Sequence, residues 1–238
     1  MLKAIQNSLL SVVYPGECRV CSIAVCDIND GVACGECWTK TRTFRGSESL
    51  CGKCGIFFGD DAPPSPVFCH RCDGHFYQKA SAIGIYEHAL AASIISLKTS
   101  PHIPRRIVDA IRKFNFPEAD ILVPIPLSKQ RKLERGFNQA EVIAAAVSRA
   151  TKIPVDALSL VRKTHTPIHR AGMDEKARDL SVRNAFEVVR PKLILGKNIV
   201  LVDDVLTSGA TASHCAKLLN KHGAVSVNVF TLARAVLR

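Results

Sequence analysis

The stretch that most limits what this chain can fold into is residues 198–211, NIVLVDDVLTSGAT. Residues 199–202 form a β-branched apolar run of the kind found in a parallel strand buried on both faces. The run is expected to stop on two acids, Asp203 and Asp204. Thr207, Ser208, Gly209, Ala210 and Thr211 follow, mostly small or hydroxylated, and lead into a helical pattern over residues 212–222 that Gly223 closes. Strand, acid pair, small-residue loop and helix together present free backbone N–H groups to an anion at a helix start. The helix field alone contributes about 0.3–2 kcal/mol, so several N–H and hydroxyl donors must act together to hold a phosphate. A strand that merely ends in a polar turn is the plain alternative.

Carboxylates beside a phosphate cradle need another part of the ligand to face. Vicinal sugar hydroxyls, with a hydrated Mg²⁺, suit them, because carboxylates accept hydrogen bonds and bind hard cations. A phosphate with a diol a few ångströms away describes a ribose 5-phosphate. The segment resembles the 5-phosphoribosyl 1-pyrophosphate (PRPP) signature of type I phosphoribosyltransferases, an apolar strand, two acids, two apolar residues and then T-S-G-A-T. No G-x-x-x-x-G-K-[ST] occurs, which excludes a nucleotide loop of that kind.

A chain of 238 residues accommodates one α/β domain plus a small module. No run approaches the ~18 apolar residues of a membrane span. The first fifteen residues read as a short amphipathic helix and not a signal peptide, so a cytoplasmic protein without membrane insertion is expected. The net charge of +11 is unevenly placed. Residues 1–80 hold eight basic and eight acidic side chains, and residues 81–238 hold 24 basic and 13 acidic. Such an excess favours polyanionic ligands, either pyrophosphate-bearing metabolites or nucleic acid, with a basic solvated surface as the plain alternative.

Eight cysteines fall into four C-x-x-C pairs, Cys18/Cys21, Cys34/Cys37, Cys51/Cys54 and Cys69/Cys72. In a cytosolic chain this spacing belongs to metal sites. Two knuckles complete one tetrahedral site, so two structural zinc ions are expected. Sequential pairing of the knuckles is preferred, and interleaved pairing and free dithiol chemistry stay open. Cys26, His70 and His75 are read as bystanders. Apolar residues are sparse here, and metal binding of about 10–16 kcal/mol per site would hold such a segment together. The expected division is residues 1–75, a helix plus a double zinc ribbon, and residues 76–238, an α/β domain. Each four-thiolate site is negatively charged, so the first unit is expected to dock on the basic second one.

In the second unit, residues 76–88 read as a strand, 89–98 as a helix closed by Lys98, and a second helix opens with Pro104 at its first position. Residues 121–125 form the next buried strand. After it Lys129, Arg131, Lys132 and Arg135 crowd what reads as a short loop, and Gly136 allows close backbone approach before a helix over residues 138–150. A basic loop at the carboxyl end of a parallel strand is where an α/β sheet holds polyanions. A solvated basic loop is the alternative.

Arg135 to Gln139, R-G-F-N-Q, together with the cysteine knuckles, narrow the likeness: the chain resembles the ComF (competence protein F-like) family of phosphoribosyltransferases with an N-terminal double zinc ribbon. The similarity runs over essentially the whole length, and Lys98 fits that family's L-K element. It implies a type I phosphoribosyltransferase fold, a parallel sheet flanked by helices, and binding of PRPP with Mg²⁺. For several relatives it implies a part in natural transformation or in the use of external DNA. On this resemblance Thr207, Ser208, Gly209, Ala210 and Thr211 hold the 5-phosphate. Asp203 and Asp204 hold the 2- and 3-hydroxyls, and Lys98, Arg131, Arg135 and Gly136 serve the pyrophosphate.

Residues 162–178 correspond to a loop that closes over the ligand, carrying Arg162, Lys163 and Arg178. The chain departs from the family at Arg170, where relatives have Gln, and at Ser181, where they have Asn. Oxopurine salvage enzymes place an Asp where this chain has Thr207, so no acceptor base is named. The second reading is a non-catalytic module of the same fold that binds single-stranded DNA or a DNA-uptake partner. A sensor that binds PRPP without turnover is a third. Cys215 is expected in the core, and His214 and His222 at the surface.

Overall fold

The computed structural model describes residues 16–25, 27–60, 67–163 and 185–236. The expected N-terminal helix, Cys26, Arg170, Arg178 and Ser181 lie outside the described residues. A two-stranded hairpin of β1 (Gly16–Glu17) and β2 (Ala24–Val25) is followed by α1 (Gly35–Lys40). The larger unit runs β3 (Ala80–Ile85), α2 (His88–Ser96), α3 (Arg105–Lys113), β4 (Ile121–Pro124), α4 (Lys129–Arg135) and α5 (Gln139–Thr151). It continues with β5 (Leu160–Arg162), β6 (Phe186–Val188), β7 (Asn198–Leu206), α6 (Ala210–Lys221) and β8 (Ser226–Arg234).

The central sheet has the order β3-β8-β7-β4 with every pairing parallel. β5 and β6 form a separate antiparallel pair. Period-two alternation divides β7 between two cores. Val200 and Val202 face Leu90, Ile94, Ile107, Ile111, Ile143 and Val147 of α2, α3 and α5. Ile199 and Leu201 face Ala212, Cys215, Ala216 and Leu219 of α6. Residues 199–202 are at most 1% exposed, as a strand covered on both faces requires. The expected fold class, a parallel sheet flanked by helices behind a small cysteine-rich unit, is what the structure has.

Several boundaries differ from the sequence reading. β7 does not stop at the acids; Asp203 and Asp204 lie inside it, and it pairs with β8 as far as Leu206↔Arg234. The basic segment after β4 is a helix, not a loop: Ser128 Oγ caps it by accepting from Arg131 N, and Gly136 ends it. Its charges alternate with Gln130 and Glu134, which bond one turn apart and support that helix. Pro104 is the N-cap of α3, one position earlier than expected. Arg162 ends strand β5 instead of opening a loop.

The cysteine-rich segment is built into the domain by more than charge. Val25, Ala33 and Trp38 share a core with the sheet and its helices. Asp30 is 7% exposed, accepts from Arg106 of α3 (Nε to Oδ1, 2.5 Å), and gives its carbonyl to Trp38 Nε1. Residues 42–44 run along the outer edge of β3, with Phe44 N donating to Ile83 O and Ile85 N to Arg42 O. On the opposite edge Leu122 N donates to Pro154 O and Asp156 N to Leu122 O. Both outer edges of the sheet are thereby partly paired, which removes open edges.

Gly84 makes the β3 contact feasible, because a Cβ there would lie 2.3 Å from Arg42 O and 3.1 Å from Thr43 Cα, both backbone atoms. Gly84→Ala should therefore push residues 42–44 off the edge and cost about 1–3 kcal/mol. Urea unfolding checks this, and an unchanged midpoint would contradict the edge contact.

Candidate functional site

Parallel strands place their polar ends together, and here the carboxyl edge of the sheet collects the chemistry. The ladder from β7 to β4 stops at Val202, because Pro124 closes β4 and Pro126 follows it. Beyond that point Asp204 N donates to Asp203 Oδ1 (2.9 Å) and Val205 N to Asp204 Oδ1 (2.7 Å). These bonds fix both carboxyl groups within the last residues of β7, just past the end of the β4 ladder. Each is set deep but keeps part of its surface open. Burial first, then repulsion from Asp204, pushes the Asp203 carboxyl well above the ordinary range. Burial raises Asp204 too, opposed by the Val205 N–H, Lys98 and Arg135.

The cations come from separate elements. Lys98 follows α2 and Arg135 ends α4, and both act on Asp204. Arg162 ends β5, acts on Asp203, and stacks its guanidinium over the Phe186 ring at 5.2 Å. Burial first, and then Arg131 of α4, disfavour the charged form of Arg162. Among the described residues, none of the ion pairs within 4 Å involves Asp203 or Asp204. Lys163 is directed elsewhere, to Glu187 Oε2 at 2.9 Å. Tyr86, absent from the sequence reading, follows β3 and has its hydroxyl raised by burial and then by Asp204.

The expected cradle is a tight turn into α6. Gly209 is the N-cap with φ of 84°, where any Cβ would meet His75 Cε1 at 2.6 Å and the Tyr77 hydroxyl at 2.8 Å. A glycine is needed there on both counts. Ser208 Oγ accepts from Ala210 N at 3.4 Å. The first N–H groups of a helix lack intrahelical acceptors, so the N–H groups of residues 211 and 212 start a donor cluster beside the Ser208-bonded N–H of Ala210. His75, read as a bystander, is a wall of this turn, with Nδ1 2.5 Å from the Tyr77 hydroxyl. Cys215 is fully buried beneath it, as expected.

The two cysteine groups resolve into sequential pairs, Cys18/Cys21/Cys34/Cys37 and Cys51/Cys54/Cys69/Cys72. Within each, all sulfurs lie within 4.8 Å of one another. Four sulfurs about 2.3 Å from one ion stand about 3.8 Å apart. The observed Sγ···Sγ separations include 3.8 and 3.6 Å in the first group and 3.6, 3.4 and 3.5 Å in the second. Against the burial that would raise it, N–H groups of Cys34, Cys21 and Val20 hold the Cys18 thiol down to about 6. Burial is likewise outweighed at Cys51, by N–H groups of Cys54, Cys69 and Lys53, again to about 6. These residues fit structural zinc, which would supply folding energy and no reaction step.

Fold and site together define an α/β protein with two four-cysteine clusters and an acid pair at the end of its central strand. Competence protein F of Haemophilus influenzae is 30% identical over 217 residues, 85% of this chain and 90% of that protein. The chain belongs to the competence protein F family. The DNA utilization protein YhgH of Escherichia coli K12 is 28% identical over 94% of this chain and its own whole length. Competence protein ComFC of Bacillus subtilis is 40% identical over 121 residues, 48% of this chain and 45% of that protein. No family model matches. Among solved structures, a glutamine PRPP amidotransferase from Bacillus subtilis aligns with 60% of this chain and about a quarter (26%) of its own, at 20% identity and a TM-score of 0.37. That superposition is too slight to carry an argument. Among the described residues no helix is long and apolar enough to cross a membrane.

A raised carboxyl pKa in the folded state means the fold binds more protons than the unfolded chain, so this pair's contribution to stability is lost as pH rises. Asp203→Asn should therefore melt higher than the wild type at about pH 8 and converge with it near about pH 3, below the ordinary carboxylate range. Thermal melts across that window check this, and a constant gap would contradict it.

Proposed function

We propose that the protein binds PRPP with Mg²⁺ at the carboxyl edge of the sheet and transfers its phosphoribosyl group to an acceptor, releasing pyrophosphate. The observation that carries this is the half-buried acid pair, one short turn ahead of the α6 N-terminus and approached by Lys98, Arg135 and Arg162 from three other elements. In this reading the N–H groups and hydroxyls of residues 207–211 take the 5-phosphate. Asp203 and Asp204 accept hydrogen bonds from the ribose 2- and 3-hydroxyls, and Arg135, Lys98 and Arg131 face the pyrophosphate. Bound Mg²⁺ would neutralise charge that develops on the leaving group. The C1–oxygen bond breaks as the acceptor bonds to C1, so catalysis is chiefly positioning and charge stabilisation. Lys163 is left out of this set because it pairs with Glu187. Arg178 stays in it on the family resemblance.

We also propose two structural zinc ions, a cytoplasmic location, and a functional division into residues 1–75 and 76–238. The names of the relatives, competence and DNA utilization, favour a second reading in which the basic face engages single-stranded DNA or a DNA-uptake partner.

The test compares wild type with Asp203→Ala/Asp204→Ala in PRPP·Mg²⁺ affinity, pyrophosphate release over a panel of bases, and single-stranded DNA binding against salt. The expected result is weakening of PRPP by about a hundredfold or more, as follows from losing two charge-assisted contacts. Absence of PRPP binding by the wild type, with steeply salt-dependent DNA binding that ignores both substitutions, would favour the second reading. Native mass spectrometry should find two zinc ions per chain; none would contradict the metal assignment.

A further inference from the structure

The final residue of β8, Arg234, is a cation closing the mostly buried strand SVNVFTLAR, and it is only 3% exposed. A buried guanidinium is costly unless its donors and its charge are matched. Its donors are matched in two directions. Toward the second cysteine group, Nε donates to Cys54 O at 3.0 Å, and Nη2 stands 3.9 Å from Cys54 Sγ. Toward the turn, Nη1 donates to Leu206 O at 2.7 Å, to Thr207 O, and to Ala235 O at 3.3 Å. Among the described residues no carboxylate lies within 4 Å of it. The countercharge at hand is therefore the sulfur group, since a dication held by four thiolates is doubly negative.

The direction of these bonds matters for the turn. A phosphate cradle needs its N–H groups aimed inward, and a carbonyl turned the same way would repel the anion. Arg234 pulls the Leu206 and Thr207 carbonyls onto its own fork, and Ala235 N also donates to Leu206 O at 3.0 Å. The peptide planes leading into Ser208 and Gly209 are thereby set. A second link runs alongside: His75 N donates to Cys72 O, and the His75–Tyr77 pair walls Gly209. Phe76 N donates to Ser213 Oγ, and Asn220 Nδ2 to Phe76 O, holding α6 to the same segment.

We infer that Arg234 is a positioning residue through which the metal-loaded Cys51/Cys54/Cys69/Cys72 group holds the 206–211 turn in its anion-accepting form. The inference deepens the PRPP reading for the same site and rests on it where ligand affinity is concerned. The coupling itself is a property of the free protein. Metal loss from this group loosens the turn, and the Cys18 group, joined to α3 through Asp30 and Arg106, has no such link among the described contacts.

The test is amide hydrogen exchange on the full chain, read in a peptide spanning residues 206–211, with residues 199–202 as internal reference. Wild type, Arg234→Met, Arg234→Lys and Arg106→Met are compared zinc-loaded, after chelation, and after zinc is returned. Chelation should quicken exchange of the wild-type turn about tenfold or more, reversibly, as loss of charge-assisted bonds implies. Arg234→Met should retain two zinc ions, show the fast turn while loaded, and respond to zinc several-fold less than the wild type, through the remaining His75 link alone. Arg234→Lys, which keeps the charge without the fork, should lie between. Arg106→Met, an equal loss of charge, should match the wild type in the turn. Slow exchange in loaded Arg234→Met, or an undiminished zinc response there, would overturn the inference. If Arg234→Met does not fold, the same criterion applies to Arg234→Lys. Ribose 5-phosphate affinity should fall in parallel with the fast turn; absence of wild-type binding would refute the ligand reading while leaving the exchange comparison decisive for the coupling.

Discussion

Two neighbouring carboxyl groups sit at the end of a strand that is buried on both faces, where desolvation and mutual repulsion both resist their ionisation. That arrangement is destabilising by itself, and the rest of the structure is arranged around it. Pro124 and Pro126 end β4 early, so on that side of β7 no neighbouring strand covers the acids. Lys98, Arg135 and Arg162 approach from α2, α4 and β5, near enough to favour the charged forms. A chain that retains such a strained pair beside a donor-rich helix start has a use for negative charge and hydrogen-bond acceptors there.

The cysteine-rich segment belongs to the same construction. It shares a core with the sheet through Trp38, Ala33 and Val25, pairs with the edge of β3, and caps α2 through Thr41 Oγ1, which accepts from Ala89 N. Its second half lies behind the turn before α6. The first expectation, of a negatively charged unit docking on a basic one, understated this: the contact is chiefly apolar packing and backbone pairing, with Asp30–Arg106 as its described ion pair.

What the sequence made legible was what short-range patterns encode. The apolar run 199–202 and the C-x-x-C spacing each carry a local signature and appear where expected, and the small-residue stretch leads into a helix as read, two residues earlier than expected. Failures came where a boundary depends on neighbours. Asp203 and Asp204 remain in β7 because β8 continues alongside them to Arg234, which no local pattern reveals. Residues 129–135 read as a loop because charge dominates them, yet Ser128 and the Gln130–Glu134 bond make a helix. Arg234 and Cys54 are 180 residues apart in sequence, so their contact was invisible. The one available signal was a lone arginine ending a largely apolar strand. Knuckle pairing stayed open for the same reason, since spacing fixes each pair but not its partner.

A crystal structure of the complex with PRPP and Mg²⁺ tests the central claim most directly. The account predicts the 5-phosphate within hydrogen-bond distance of the N–H groups of residues 208–211, and the ribose hydroxyls on the Asp203 and Asp204 carboxylates. Ligand bound elsewhere, with those carboxylates turned to protein cations and the turn filled by side chains, would contradict it.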